Sequence, residues 1–208
     1  STWIKINNDG VWTVNSLALS PDGTVFASTG YGVMRSMDDG LTWASVLGFS
    51  NAYSVTVDVN GKVFAGNIDG VVARSTNNGT SWNTSYIGWS TAVTALAEDK
   101  SGTVFAGTGA GVFRSTNGGV NWTQINAGIE SINVQSMAVN ARGNVFVSTG
   151  SGVYYTSPID GSWVPAVSGL QNTYVTALAF NPDGYLFAGT NGSGVYKTLN
   201  NTTAVKDK

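Results

Sequence analysis

Tryptophan returns along this chain at Trp3, Trp43, Trp82, Trp122 and Trp163, at spacings of 40, 39, 40 and 41 residues. A bulky anchor every ~40 residues marks one supersecondary unit repeated from end to end. A second column runs beside it: Phe26, Phe64, Phe105, Phe146 and Phe187, each three residues after a glycine, namely Gly23, Gly61, Gly102, Gly143 and Gly184. A third column, Val33, Val71, Val112, Val153 and Val195, follows a glycine-rich loop. Short runs alternating with period two make each unit four strands, A to D. In the third unit they are predicted at 94–98, 103–106, 111–115 and 121–125. The Trp and Phe columns are expected to pack sheet against sheet, since a unit of this size cannot bury enough apolar area alone.

The turns carry their own chemistry. Pro21-Asp22-Gly23 and Pro182-Asp183-Gly184 fix φ early and then demand a positive φ, as a tight A-to-B turn requires. The C-to-D turn reads Ser36-Met37-Asp38-Asp39-Gly40-Leu41-Thr42-Trp43, and its frame returns with Asn for Asp at Ser75, Asn77, Gly79 and Trp82 and at Ser115, Asn117, Gly119 and Trp122. A fourth copy at 157–163 is broken by Pro158 and one missing residue. This S-x-D-x-G-x-T-W turn resembles the Asp-box of the BNR-like repeat families, found in sialidases, sortilin-type receptors and photosystem assembly factors. The resemblance implies a β-propeller fold in which the box is a structural turn, not a catalytic site. Asp and Asn side chains both bond turn amides, so the exchange is mild.

The fifth unit ends after strand C, at 194–201, with no Trp behind it, while Ser1-Thr2-Trp3-Ile4-Lys5-Ile6 matches strand D of the other units. The expected fold is therefore all-β: a five-bladed β-propeller of four-stranded antiparallel blades, its ring closed by the N-terminal segment completing the last blade. The rival, an open solenoid, would leave a half-blade unpaired at each end. A single domain over 1–208 is expected, with 1–15 as closing strand and first loop and 202–208 as a flexible tail.

The chain has no His and no Cys, which removes Ser-His-Asp and Cys-His nucleophile systems, imidazole and thiolate metal sites and disulfides. Charged residues are only 11% and net charge is -2, too little basic field to hold a phosphate backbone, so nucleic acid is not an expected partner. No apolar run is long enough to cross a bilayer as a helix. A Thr-, Ser-, Asn- and Gly-rich surface suits an extracellular or periplasmic protein, and a monomer is expected. Calcium-loop spacing does not occur, and neither metal nor cofactor is expected.

Ligands are expected where the D-to-A and B-to-C loops open on one face. The D-to-A loops begin Gly10-Val11, Gly48-Phe49, Gly88-Trp89, Gly128-Ile129 and Gly169-Leu170. The candidate residues are Trp12, Tyr31, Tyr53, Trp89 and Tyr174, aromatics that stack on sugar rings or anchor a peptide, with Asp69 and Glu98 as polar candidates beside them. The competing reading has them capping blade contacts. A basic position on strand C, Arg35, Arg74, Arg114 and Lys197, is broken only by Tyr155; its heads are expected on turns or neighbouring blades. Function is then expected to be that of a non-catalytic binding module or scaffold for a glycan or protein ligand. A five-bladed lectin with sugar sites between blades is similar in architecture. The tail 205–208 is similar to polar stretches before sorting domains of secreted bacterial proteins. The alternative is a glycoside hydrolase using inner-strand carboxylates. Its candidate is Glu98, in a column otherwise Leu19, Val57, Val139 and Phe180, with Asp58 and Asp99 as strand-end caps.

Overall fold

A computed structural model describes residues 12–88, 90–156 and 162–202. Trp3, Trp89, residues 157–161 of the fourth box and the tail from 203 lie outside the described residues, and with them the expected closing strand. Packing divides the chain into two compact units, Ser1–Leu96 and Ala97–Lys208. The boundary falls inside one strand, Val93–Glu98.

The first unit holds two four-stranded antiparallel sheets. One runs β1 (Val14–Leu19), β2 (Val25–Thr29), β3 (Gly32–Ser36), β4 (Ala44–Leu47); the next runs β5 (Ala52–Val57), β6 (Val63–Asn67), β7 (Val71–Ser75), β8 (Asn83–Tyr86). A third sheet pairs β9 (Val93–Glu98), β10 (Val104–Thr108), β11 (Gly111–Ser115) and β12 (Thr123–Gln124). The second unit adds β13 (Val134–Val139), β14 (Val145–Thr149), β15 (Gly152–Thr156) and β16 (Val164–Pro165). Its last sheet has three described strands, β17 (Val175–Phe180), β18 (Leu186–Thr190) and β19 (Gly194–Lys197). The molecule is thus all-β, five sheets of sequential hairpins. Strand B of the third repeat begins one residue later than the periodicity predicts and runs two further, and strand D shortens to two residues.

Hairpin geometry follows from the turn residues. Gly23, Gly61, Gly102, Gly143 and Gly184 all take φ between 78° and 89°, the left-handed region open to glycine without a Cβ penalty. Strand A carries a bulge near its start in four sheets, at Val14/Ser16, Ala52/Ser54, Val134/Ser136 and Val175/Ala177. Such an extra residue bends the strand and increases its twist.

The core lies between successive sheets. In the first unit Phe26, Val33, Ala52, Val55, Val63 and Ala65 form one buried cluster, with Trp82 packed against it. Phe26, Phe64, Phe105 and Phe146 are buried, each contributing on the order of 2–3 kcal/mol, while Phe187 is half-buried. Trp82 and Trp163 pack on the core of the preceding sheet as expected, but depth varies: of the described four only Trp163 is buried, at 4% exposed, while Trp43, Trp82 and Trp122 are half-buried. The valine column also slips by one in the second repeat. Gly66 pairs with Val72 where Ser28 pairs with Val33, so buried Val72, and not Val71, occupies that position. Glycine sits where sheets approach closely: a Cβ on Gly66 would lie 2.4 Å from Val93, and one on Gly107 2.5 Å from Val134.

Candidate functional site

Each sheet has a turn end, with the A-to-B and C-to-D turns, and a loop end, with the B-to-C and D-to-A loops. At the turn end a side chain closes each A-to-B hairpin. Asp58 accepts the amides of Asn60 and Lys62 at 2.9 and 2.7 Å; Asp99 accepts those of Ser101 and Thr103; Asn140 accepts those of Arg142 and Asn144. Burial alone would raise the Asp58 carboxyl, yet the two amides and the Lys62 ammonium at 3.4 Å outweigh it and lower its pKa below 3.8. Glu98 stands at this same end, its Oε1 3.7 Å from where a Cβ on Gly102 would be. The other five residues of β9, Val93 to Ala97, separate it from the loop end of its sheet.

The C-to-D turns repeat one bonding scheme. Ser36 Oγ donates to Asp38 at 2.8 Å and accepts the Gly40 amide at 2.9 Å; Asp38 accepts the Thr42 amide at 2.9 Å and hydroxyl at 2.6 Å; the Trp43 indole donates to the Gly40 carbonyl at 3.0 Å. Asn77 takes the Ser75 hydroxyl and the Ser81 amide, each at 2.9 Å, and Trp82 donates to Gly79. Asn117 takes Ser115 and the Asn121 amide, while Gly119 donates to Ser115. The amide captured lies four residues on, further than the two-residue reach expected of a simple Asx turn. The side-chain oxygen thus spans the whole turn, and the half-exposed indole lies over it. The Thr42 hydroxyl, then its amide, then Ser36 hold the Asp38 carboxyl below its ordinary 3.8. Within the first unit these turns also join sheets. Arg35 donates to the Asn78 carbonyl at 2.6 Å, and Asn78 Nδ2 donates to Asp22 and Thr24. A shallow polar groove of about 370 Å³ lies between Asp22, Asn60 and Asn77.

The loop end of the first unit gathers the candidate residues. Thr29 Oγ1 donates to Gly32 and accepts the Tyr31 amide, which closes the B-to-C loop and leaves the Tyr31 ring 72% exposed. Asn51 donates its amide to Gly30, and its carbonyl accepts the amide of Ile68, so three loops are zipped in series. Asn51 holds φ at 45°, a left-handed conformation that asparagine tolerates better than most residues. Asp69 accepts the Ser50 hydroxyl at 3.1 Å, and Asn67 accepts the amides of Asp69 and Val71. Tyr31, Tyr53, Ile68 and Asp69 therefore sit within two residues of one rigid backbone seam. Sequence reasoning missed Ser50, Asn51 and Asn67; the Asn before strand A was the available signal. Trp12 does not join the group: it stands edge-on to Trp43, centroids 6.3 Å apart. In the second unit Tyr174 repeats the seam, its carbonyl accepting the Asn191 amide and its ring lying alongside Gly150. Trp89 lies outside the described residues.

Among the described residues no cluster of three Asp, Glu, His or Cys side chains converges as a metal would need, and no helix is long and apolar enough to cross a membrane. The second unit holds a larger, mostly apolar groove of about 890 Å³ between β15, β16 and the outer edge of β19.

The family model of the WD domain, G-beta repeat, matches residues 6–39. No curated protein matches the sequence. Among solved structures, an ancestral GH74 enzyme is similar at 23% identity and TM-score 0.76, over 88% of this chain and 30% of that one. The GH74 xyloglucanase from Xanthomonas campestris is similar at 18% identity and TM-score 0.75, over 94% of this chain and 37% of that one. YCF48 bound to D1 peptide is similar at 14% identity and TM-score 0.69, over 92% and 64%. The chain spans about a quarter to a third of the length of several chains it matches. At these identities the likeness carries the fold: this is a repeat protein of β-propeller type.

Proposed function

We propose that the chain is a non-catalytic extracellular or periplasmic binding module, a closed five-bladed propeller carrying Asp-box turns, that takes a ligand on its loop ends. The observation that carries this reading is Tyr31, projecting from a loop fixed on both sides, beside Tyr53, Ile68 and the polar pair Ser50 and Asp69. A rigid exposed aromatic loses little entropy on stacking, and adjacent hydroxyl and carboxylate groups supply direction. That combination suits a sugar ring, and the xyloglucanase relative is named for a polysaccharide. The YCF48 relative is bound to a peptide, which makes an extended peptide the second ligand class. The closed ring is supported by apolar residues left uncovered in the described sheets, Leu17 and Leu19 at 64% and 68% exposed and Val195 at 72%.

The test is a glycan array and a peptide library probed with the intact chain and with Tyr31→Ala and Tyr53→Ala. Each truncation is expected to weaken a hit about tenfold or more, with unchanged circular dichroism. Blank arrays, or hits indifferent to both substitutions, contradict the reading. The hydrolase alternative rests on Glu98 and on the GH74 relatives. Hydrolysis of β-glucans that disappears in Glu98→Gln would replace the binding-module reading with that one.

A further inference from the structure

The described charges of the first unit are sorted by end. Arg35 donates to the Asn78 carbonyl, Lys62 pairs with Asp58 at 3.4 Å, and Arg74 faces Asn83 one residue before the close of β7. Asp22, Asp38, Asp39 and Asp58 lie on the turns at that same end. Among the described residues of this unit, Asp69 is the one charged side chain at the loop end. Its partners are neutral: Oδ2 accepts the Ser50 hydroxyl at 3.1 Å and Asn67 Nδ2 at 3.4 Å. No described residue bonds Oδ1, and Asp69 is exposed. The aromatic on the same seam is held still. Gly32 takes φ of 116°, and a Cβ there would strike the Leu47 carbonyl, so the Tyr31 loop is pressed onto the segment after β4 while Thr29 grips its other side. The Gly30 carbonyl takes the Asn51 amide and the Asn51 carbonyl takes the Ile68 amide, at 3.2 and 3.1 Å. Two such steps, at about 4.8 Å each, set the Tyr31 and Asp69 backbones roughly 10 Å apart, a gap that two linked sugar rings cover.

We infer that this loop end selects a cationic sugar, a glycan whose rings carry protonated amines, with one ring stacked on Tyr31 and an ammonium on Asp69 Oδ1. The inference rests on the binding-module reading above and names the ligand of that site. Charge decides among the sugars. A neutral ring laid over Asp69 would strip water from a carboxylate that has no counter-charge, which is costly. An acidic sugar would add a second negative charge where no described cation relieves it. An ammonium pairs with Oδ1 instead, and hydrogen bonds between ionised partners are about twice as strong as neutral ones. The face of the Tyr31 ring attracts the same cation. Ser50 and Asn67 orient the carboxylate without neutralising it. A basic peptide brings the same charge on flexible stems, whereas a fixed and exposed tyrosine matches the flat face of a rigid ring.

The test uses three β-linked hexamers that differ only at C2, those of glucose, of N-acetylglucosamine and of glucosamine, titrated calorimetrically into the intact chain at pH 6, where a sugar amine is protonated. The glucosamine hexamer is expected to bind at least tenfold more tightly than the other two, and less tightly as salt is raised. Asp69→Asn is expected to abolish that preference, and Tyr31→Ala to weaken whatever binding remains. Asp39→Asn removes the same charge at the turn end, where the second repeat carries Asn78 at the same left-handed φ, and is expected to change nothing. Three hexamers bound equally, or not at all, overturn the inference. So does a preference that survives Asp69→Asn or falls equally in Asp39→Asn, which would be attraction of a polycation to a chain of net charge -2. An oligolysine peptide that binds as tightly as the glucosamine hexamer, with the same dependence on Asp69, would make the ligand a peptide and overturn the sugar assignment. Tyr31-dependent binding of a neutral or acidic glycan would sink this inference and leave the binding-module reading standing, whereas blank arrays sink both.

Discussion

Asp38 and Asn77 perform one task with different chemistry, each capturing a serine hydroxyl before the turn and an amide four residues on. Only the aspartate titrates. Its folded pKa lies below 3.8 because Thr42 and Ser36 donate to the carboxylate, so its contribution is present above 3.8 and is lost as pH falls through the lower folded value. Asp38→Asn is expected to retain the turn, since Asn77 donates to Ser81 where Asp38 accepts from Thr42. The variant is then less acid-sensitive than the parent below about pH 4, measured as melting temperature between pH 2 and 7. Equal acid sensitivity would assign the loss to other carboxylates, Asp58 and Asp22 first. At the same scale Tyr31 explains why sequence could nominate a binding residue: a tyrosine on a Gly-Tyr-Gly loop cannot be covered by its own strand. It could not reveal Asn51, whose seam depends on φ and on two partners 21 and 17 residues away.

Between elements, the close approach of Gly66 to Val93 and of Gly107 to Val134 shows how stacked sheets fit. Gly66→Ala forces a methyl into space held by Val93 and is expected to destabilise by about 1–3 kcal/mol, a fall of several degrees in melting temperature by calorimetry. Trp163→Ala is expected to cost more, about 3–5 kcal/mol, because this indole is buried and its N–H donates to the Ile125 carbonyl at 2.5 Å. Trp82→Ala removes a half-buried ring and is expected to cost less; the reverse order would show that the turn bond outweighs packing. The periodicity located every described hairpin, because turn glycines and buried phenylalanines obey local rules. It could not give the depth of the tryptophans, since recurrence reports a repeated role and not its burial, and here the role is partly to cover a turn. It slipped at Val71 because one inserted loop residue shifts a strand by one position and inverts which face each side chain takes. Glu98 was legible as an outlier in an apolar column, and the predicted strand 94–98 already set it at the turn end.

For the whole molecule, the proposed closed ring would give each sheet two neighbours and leave no sheet face uncovered. The binding-module reading depends on this closure only in that fixed sheets hold the loops still; the ligand is chosen by Tyr31 and its neighbours. The most direct measurement of closure is a nuclear Overhauser spectrum of the intact chain in solution. The proposed closed ring predicts cross-strand contacts between the segment Trp3 to Ile6 and β19. Random-coil shifts for residues 1–6, with none of those contacts, would contradict it.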